Sequence, residues 1–100
     1  MNLTLKDAAI ISGLSARDIQ FYSDRSVVKP YKAKGRGSPR IFVDSDIYIL
    51  RVIAAAKQFG ITIDIVREIV EQAKSEGCPS VVTFKRGDSE VILRLKGEAE

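Results

Sequence analysis

Four side chains suited to reading a nucleic-acid surface fall close together: Arg17, Gln20, Phe21 and Tyr22. Five cations follow, Lys29, Lys32, Lys34, Arg36 and Arg40, with no acid between Arg25 and Val43. A guanidinium grips guanine edges or phosphate, and a carboxamide pairs with adenine. Lysines neutralise phosphate without reading sequence. That set suggests recognition of a polyanion. Nothing comparable suggests bond breaking. The chain has no histidine, so the commonest general base and metal ligand is missing. One cysteine, Cys78, cannot build a zinc or cluster site. Gly35-Arg36-Gly37 follows no apolar strand and opens no helix, so a nucleotide loop is not expected. Asp44 and Asp46 read as helix-cap charges, and Arg86-Gly87-Asp88 as a turn. The expectation is a binding protein, not an enzyme, with no cofactor and no metal.

Those residues need elements to hold them. Thr4 is a good N-cap with Asp7 at the capping-box position, and the helix it opens should stop at Gly13. Leu14 plugs the turn. Ser15 caps a second helix, with Asp18 three residues on, carrying Arg17 to Tyr22 and ending near Asp24-Arg25. Two short helices so joined form a helix-turn-helix, which lays its second helix in the DNA major groove. Val27 and Val28 return to the core before Pro30 forbids further helix. With Ile19 facing inward, Arg17, Gln20 and Asp24 lie towards the open side.

Lys29–Lys34 and Arg40–Val43 flank a Gly35–Pro39 turn and suit a two-stranded wing. Asp44 or Ser45 should cap a third helix whose buried face holds Ile47, Leu50, Ile53, Ala54 and the Lys57 stem. Gly60 ends it. Thr62 caps a fourth, with Ile65, Val66, Ile69, Val70 and Ala73 buried, and Gly77 and Pro79 stop it. The period then changes to strand, turn, strand over Val81–Leu95, with Val91, Leu93 and Leu95 on one face. The fold class is mostly α: a winged helix-turn-helix with four helices, a small hairpin wing and a C-terminal β-hairpin. Residues 1–76 would be the DNA-binding domain and 77–100 a hairpin tail.

One hundred residues with 45% hydrophobic content can bury a modest core. The net charge of +3 hides an asymmetry. Residues 1–60 hold ten basic and five acidic side chains, a net of +5, whereas residues 61–100 hold six and eight, a net of −2. A basic first half suits a polyanion. No signal peptide or membrane span is evident, and a cytoplasmic protein of the bacterial nucleoid is expected.

The stretches LTLKDAAIISGLSARDIQFYSDRSVVKP and PRIFVDSDIYILRVIAAAKQFGITIDIVREIV resemble the winged helix-turn-helix domain of MerR-family transcription regulators, over Thr4 to Ala73. Gly13-Leu14-Ser15 stands at the family's Gly-Val-Ser turn, and Pro39-Arg40-Ile41-Phe42 near its post-wing Tyr-Arg-aromatic run. The resemblance implies that Arg17 and Tyr22 contact DNA from the recognition helix and that Arg40 is the wing arginine on the backbone. It also implies a dimer that bends or untwists a two-fold promoter site. Three departures stand out. Gln20 replaces the arginine of the family's Arg-Tyr-Tyr, and Phe21 replaces its first tyrosine. Gly77-Cys78-Pro79 and a hairpin occupy the place of the long dimerising helix.

The candidate DNA-binding residues are therefore Ser15, Arg17, Gln20, Phe21, Tyr22, Lys29, Lys32, Lys34, Arg36 and Arg40, with double-stranded DNA and a second copy of the chain as partners. Tyr22 has two readings, a phosphate anchor or a core ring. Cys78 is a sensing thiol or an inert one. The tail hairpin either dimerises or covers its own helices, since an isolated hairpin is marginal in water. A DNA-bending architectural or excisionase-like factor, or a protein-interaction module without DNA, would use the same fold.

Overall fold

The first helix shows how closely local chemistry sets these elements. In this computed structural model, which describes residues 3–32 and 40–95, α1 spans Leu5–Ser12. The Thr4 hydroxyl accepts the Asp7 N–H at 3.1 Å, and the Asp7 carboxylate accepts the Thr4 N–H at 3.3 Å. The capping box is thus complete despite the short Asp side chain. Gly13, at φ 83, ends α1 in the left-handed conformation and returns its N–H to the Ala9 carbonyl.

Ser15 caps α2 (Ala16–Asp24) by accepting the Asp18 N–H at 3.0 Å. α2 ends in a Schellman motif: Val27 N–H reaches the Tyr22 carbonyl, and Ser26 N–H the Ser23 carbonyl. The residue in the left-handed position is Ser26, at φ 61. That stop turns Val27 and Val28 back into the core.

The wing base consists of β1 (Tyr31–Lys32) and β2 (Arg40–Ile41), paired antiparallel with Tyr31 opposite Ile41 and Lys32 opposite Arg40. Leu3 and Phe42, the residue after β2, exchange both backbone hydrogen bonds at 2.8 Å in an isolated antiparallel bridge. Phe42 is fully buried.

The third helix, α3 (Asp44–Lys57), begins one position earlier than a cap at Asp44 would place it and two earlier than a cap at Ser45 would. The flanking residue is Val43, whose N–H goes to the Asp46 carboxylate at 3.0 Å and whose carbonyl accepts the Ile47 N–H. An apolar residue cannot cap with its own side chain, so Asp46 reaches back to it. Lys57 is exposed, Ala54 is half-buried, and Ile47, Leu50 and Ile53 are buried as their spacing indicates. Gly60, at φ 67, closes the turn after α3.

α4 (Ile63–Ser75) follows, with Thr62 at the N-cap position but making no side-chain capping bond. Val66, Ile69, Val70 and Ala73 are buried, whereas Ile65 is only half-buried. A second Schellman motif ends α4, with Gly77 and Cys78 returning their N–H groups to Lys74 and Ala73. The hairpin of β3 (Val81–Arg86) and β4 (Ser89–Arg94) comes last. It packs β3 against α4 and buries Val82, Phe84 and Leu93. Gln72 Nε2 donates to the Thr83 carbonyl at 2.6 Å, and Arg86 pairs with Glu68 at 3.0 Å. The apolar face of the hairpin therefore covers its own helix, as one of the two sequence readings expected.

The chain falls into two compact units, residues 1–50 and 51–100. The helix-turn-helix and wing base belong to the first, and α4 with the hairpin to the second.

Candidate nucleic-acid interface

Helix geometry sorts the side chains of α2 into two faces. Ile19 and Tyr22 are buried, while Arg17, Gln20, Phe21, Asp24 and Arg25 are exposed. The exposed positions recur at three- and four-residue steps and form one stripe along the helix. Arg17 stands in the first turn and Arg25 at the C-cap.

The far end of the stripe is organised. The Arg25 guanidinium lies 3.7 Å from the centroid of the Phe21 ring. Its Nη1 also donates to the Phe21 carbonyl at 3.4 Å. A cation over an aromatic face is held electrostatically and loses less freedom when a ligand arrives. Phe21 in turn meets Tyr22 edge to face, with centroids 5.2 Å apart and planes at 84°. Tyr22 is 8% exposed as a residue, so of its two readings the side chain belongs to the core. Ser15 is exposed, with its hydroxyl oxygen engaged at the N-cap.

Arg40 is fixed to the same end of α2. Its Nη2 donates to Asp24 Oδ1 at 3.1 Å. Its Nη1 is buried and makes no hydrogen bond. The side chain is 28% exposed against 62% for Asp24. Two anchors thus set the wing base: the bridge between Leu3 and Phe42 next to β2 in the chain, and the Asp24 carboxylate that pairs with Arg40. An ion pair this exposed contributes little to stability. Its consequence is orientation of a planar, multi-donor group.

Lys29 is exposed beside this surface in the chain. Lys32 has its backbone in β1, while its side chain lies outside the described residues, as do Lys34 and Arg36 altogether. Among the described residues, no cluster of three or more His, Cys, Asp or Glu suits a metal ion, and no helix is long and apolar enough to cross a membrane.

Arg17, Gln20 and Arg40 are legible in the sequence as contact residues, whereas Arg25 carries no signal of a contact role there and Asp24 only a place on the open side. Phe21 and Arg25 are four apart on a helix, so their stacking had a local signal. Asp24 and Arg40 are sixteen residues apart, and no local pattern joins them.

A capped pair of helices followed by a two-stranded wing base defines a winged helix-turn-helix. The pattern of the MerR HTH family regulatory proteins matches residues 3–73, and the chain belongs to that family. Two solved structures are similar in fold. One is a MerR-family transcriptional regulator from Bacillus cereus, at TM-score 0.62 and 21% identity, covering 72% of this chain and 53% of that one. The other is HiNmlR, a MerR family regulator lacking the sensor domain, bound to promoter DNA, at TM-score 0.59 and 24% identity, covering 75% of this chain and 56% of that one. The chain spans just over half the length of each. No curated protein matches the sequence.

Proposed function

We propose that this chain is a sequence-specific DNA-binding transcription regulator of MerR type. The second helix enters the major groove and the wing rests on the phosphate backbone. One observation carries the reading: the exposed stripe Arg17, Gln20, Phe21, Arg25 ends beside an arginine, Arg40, that Asp24 holds in place. Arg17 and Gln20 read base edges. Arg40 and Lys29 contact phosphate, joined by Lys32, Lys34 and Arg36. Ser15 lies at the start of α2, where its hydroxyl and the adjacent N–H groups favour an anion. Phe21 lends its ring to Arg25.

The reading is supported by family membership and by the net positive charge of the first sixty residues. HiNmlR was solved on promoter DNA while lacking a sensor domain, so a MerR-type chain without that domain binds DNA. A dimer on a two-fold site is the corresponding assembly. Residues 1–76 serve as the DNA-binding part and 77–100 as the associating tail.

The test is selection of duplexes from a random pool, followed by binding at several salt concentrations. Enrichment of a two-fold sequence is expected. Affinity should fall with salt by about 0.9 power for each phosphate neutralised. Binding without sequence enrichment points to an architectural factor, and no binding in dilute buffer overturns the reading.

A further inference from the structure

The C-terminal hairpin has one edge engaged by α4 at Thr83 and one edge with no neighbouring strand among the described residues. β3 and β4 pair with Val82 opposite Leu93 and Phe84 opposite Val91 across the Gly87-Asp88 turn. Leu95 N–H bonds the Ser80 carbonyl at 2.9 Å, which fixes the phase of the ladder. The 82–93, 84–91 and 86–89 pairs are then the hydrogen-bonded ones, because such pairs alternate along antiparallel strands. It follows that Thr83 on β3, and Glu90, Ile92 and Arg94 on β4, aim their backbone groups away from the partner strand. On the β3 side, the Thr83 carbonyl is taken by Gln72 of α4. On the β4 side, no further strand lies alongside among the described residues.

The open edge is self-complementary. Glu90, Ile92 and Arg94 share the face of β4 turned away from the buried Leu93, and all three are exposed, Ile92 to 46%. Glu90 and Arg94 stand two residues on either side of Ile92 and carry opposite charge. If β4 meets a second β4 antiparallel about a two-fold axis at Ile92, each Glu90 comes opposite the other copy's Arg94. The two isoleucines meet at the centre. The same register brings the outward N–H and C=O groups of the three residues face to face, enough for about six backbone bonds. Each Glu90 carboxylate, already 3.9 Å from Lys85, would then lie between two cations. Proteins usually guard an exposed edge against such pairing with like charges, proline or a bulge. Here the charges favour the twin.

We propose that β4 is a homodimerisation edge, pairing with β4 of a second copy in a register centred on Ile92 to form a four-stranded antiparallel sheet. It supplies the two-fold assembly that the DNA-binding reading calls for, but it rests on the hairpin alone and is tested without DNA. The contact is smaller than a standard protein interface, so the free dimer is expected to be weak.

The test is sedimentation equilibrium on the full chain and three charge variants, at concentrations reaching about 0.2 mM, with circular dichroism to verify folding. Wild type should dimerise. Glu90→Arg and Arg94→Glu, each placing like charges opposite one another twice, should raise the dissociation constant by about tenfold or more. The double variant Glu90→Arg/Arg94→Glu restores complementarity and should recover the dimer. A wild type monomeric throughout overturns the proposal. So do single swaps that leave the dimer unchanged, or a double swap that stays apart. A dimer that ignores duplex DNA would sink the functional reading and leave this one standing.

Discussion

Asp46 combines two opposing demands at one carboxylate. It is 7% exposed, and burial raises its pKa, while the Val43 N–H that it accepts lowers it and offsets only part of that rise. The native state therefore holds the proton more tightly than the unfolded chain does. The stabilising contribution is complete below the unfolded pKa and is lost as pH rises through the higher folded value. Asp46→Asn keeps an acceptor for Val43 and removes the titration. Relative to that variant, wild type should gain stability as pH falls from neutral towards the ordinary aspartate range, measured by urea unfolding across that range. Asp46→Ala strands the Val43 N–H and should cost about 1 kcal/mol at neutral pH, as cap losses do. Ser26 poses a different problem, because a left-handed backbone costs a residue with a Cβ about 1–2 kcal/mol. Ser26→Gly removes that strain but adds freedom to the unfolded chain, so a net gain of up to about 1 kcal/mol is expected. A drop in melting temperature would contradict the strain argument.

At the scale of the element, α2 acts as a rigid carrier for two arginines held by different means. Arg25→Ala should weaken binding to all duplexes alike and reduce the salt slope by about 0.9. Phe21→Leu keeps the charge but loses the ring beneath it. It should weaken affinity several-fold, about what a surface cation–π contact contributes, and leave the slope nearly unchanged. Equal slopes for wild type and Arg25→Ala would remove Arg25 from the interface. For the wing base, Arg40→Lys is the informative change. An ammonium cannot pair with Asp24 and present a planar fork to phosphate together, so affinity should fall nearly as far as in Arg40→Ala. Arg17→Ala and Gln20→Ala should also blur sequence preference, read from the pool selection. If Arg40→Ala leaves affinity unchanged at moderate salt, the wing assignment fails.

For the whole molecule, the hairpin is both cover and candidate connector. Val82, Phe84 and Leu93 are buried on the hairpin that packs against α4. Each buried apolar side chain contributes roughly 1.5–3 kcal/mol. A chain ending before Cys78 should lose roughly 5 kcal/mol or more, comparable with the whole stability of a small domain. Denaturant unfolding of the truncated chain checks this, and unchanged stability would show that the hairpin is not part of the folded unit. Truncation therefore confounds dissociation with unfolding, whereas charge swaps at Glu90 and Arg94 leave the buried face of the hairpin intact.

Sequence by itself determined the local part of this protein. Helix caps at Thr4 and Ser15, the glycine stop at Gly13, the change of period after Pro79 and the buried stripe of α4 all follow from contacts within a few residues. The family was legible for the same reason, since its marks are ordered local motifs over residues 3–73. Tertiary structure decided what depends on partners distant in the chain. It set Asp24 against Arg40, sent the apolar face of the hairpin to α4, and left the outer edge of β4 exposed. It also set the start of α3 at Asp44, with Val43 flanking it and a carboxylate three residues on completing the cap. Backbone periodicity tells which face of a strand is apolar. Only packing tells which edge of the sheet is already taken.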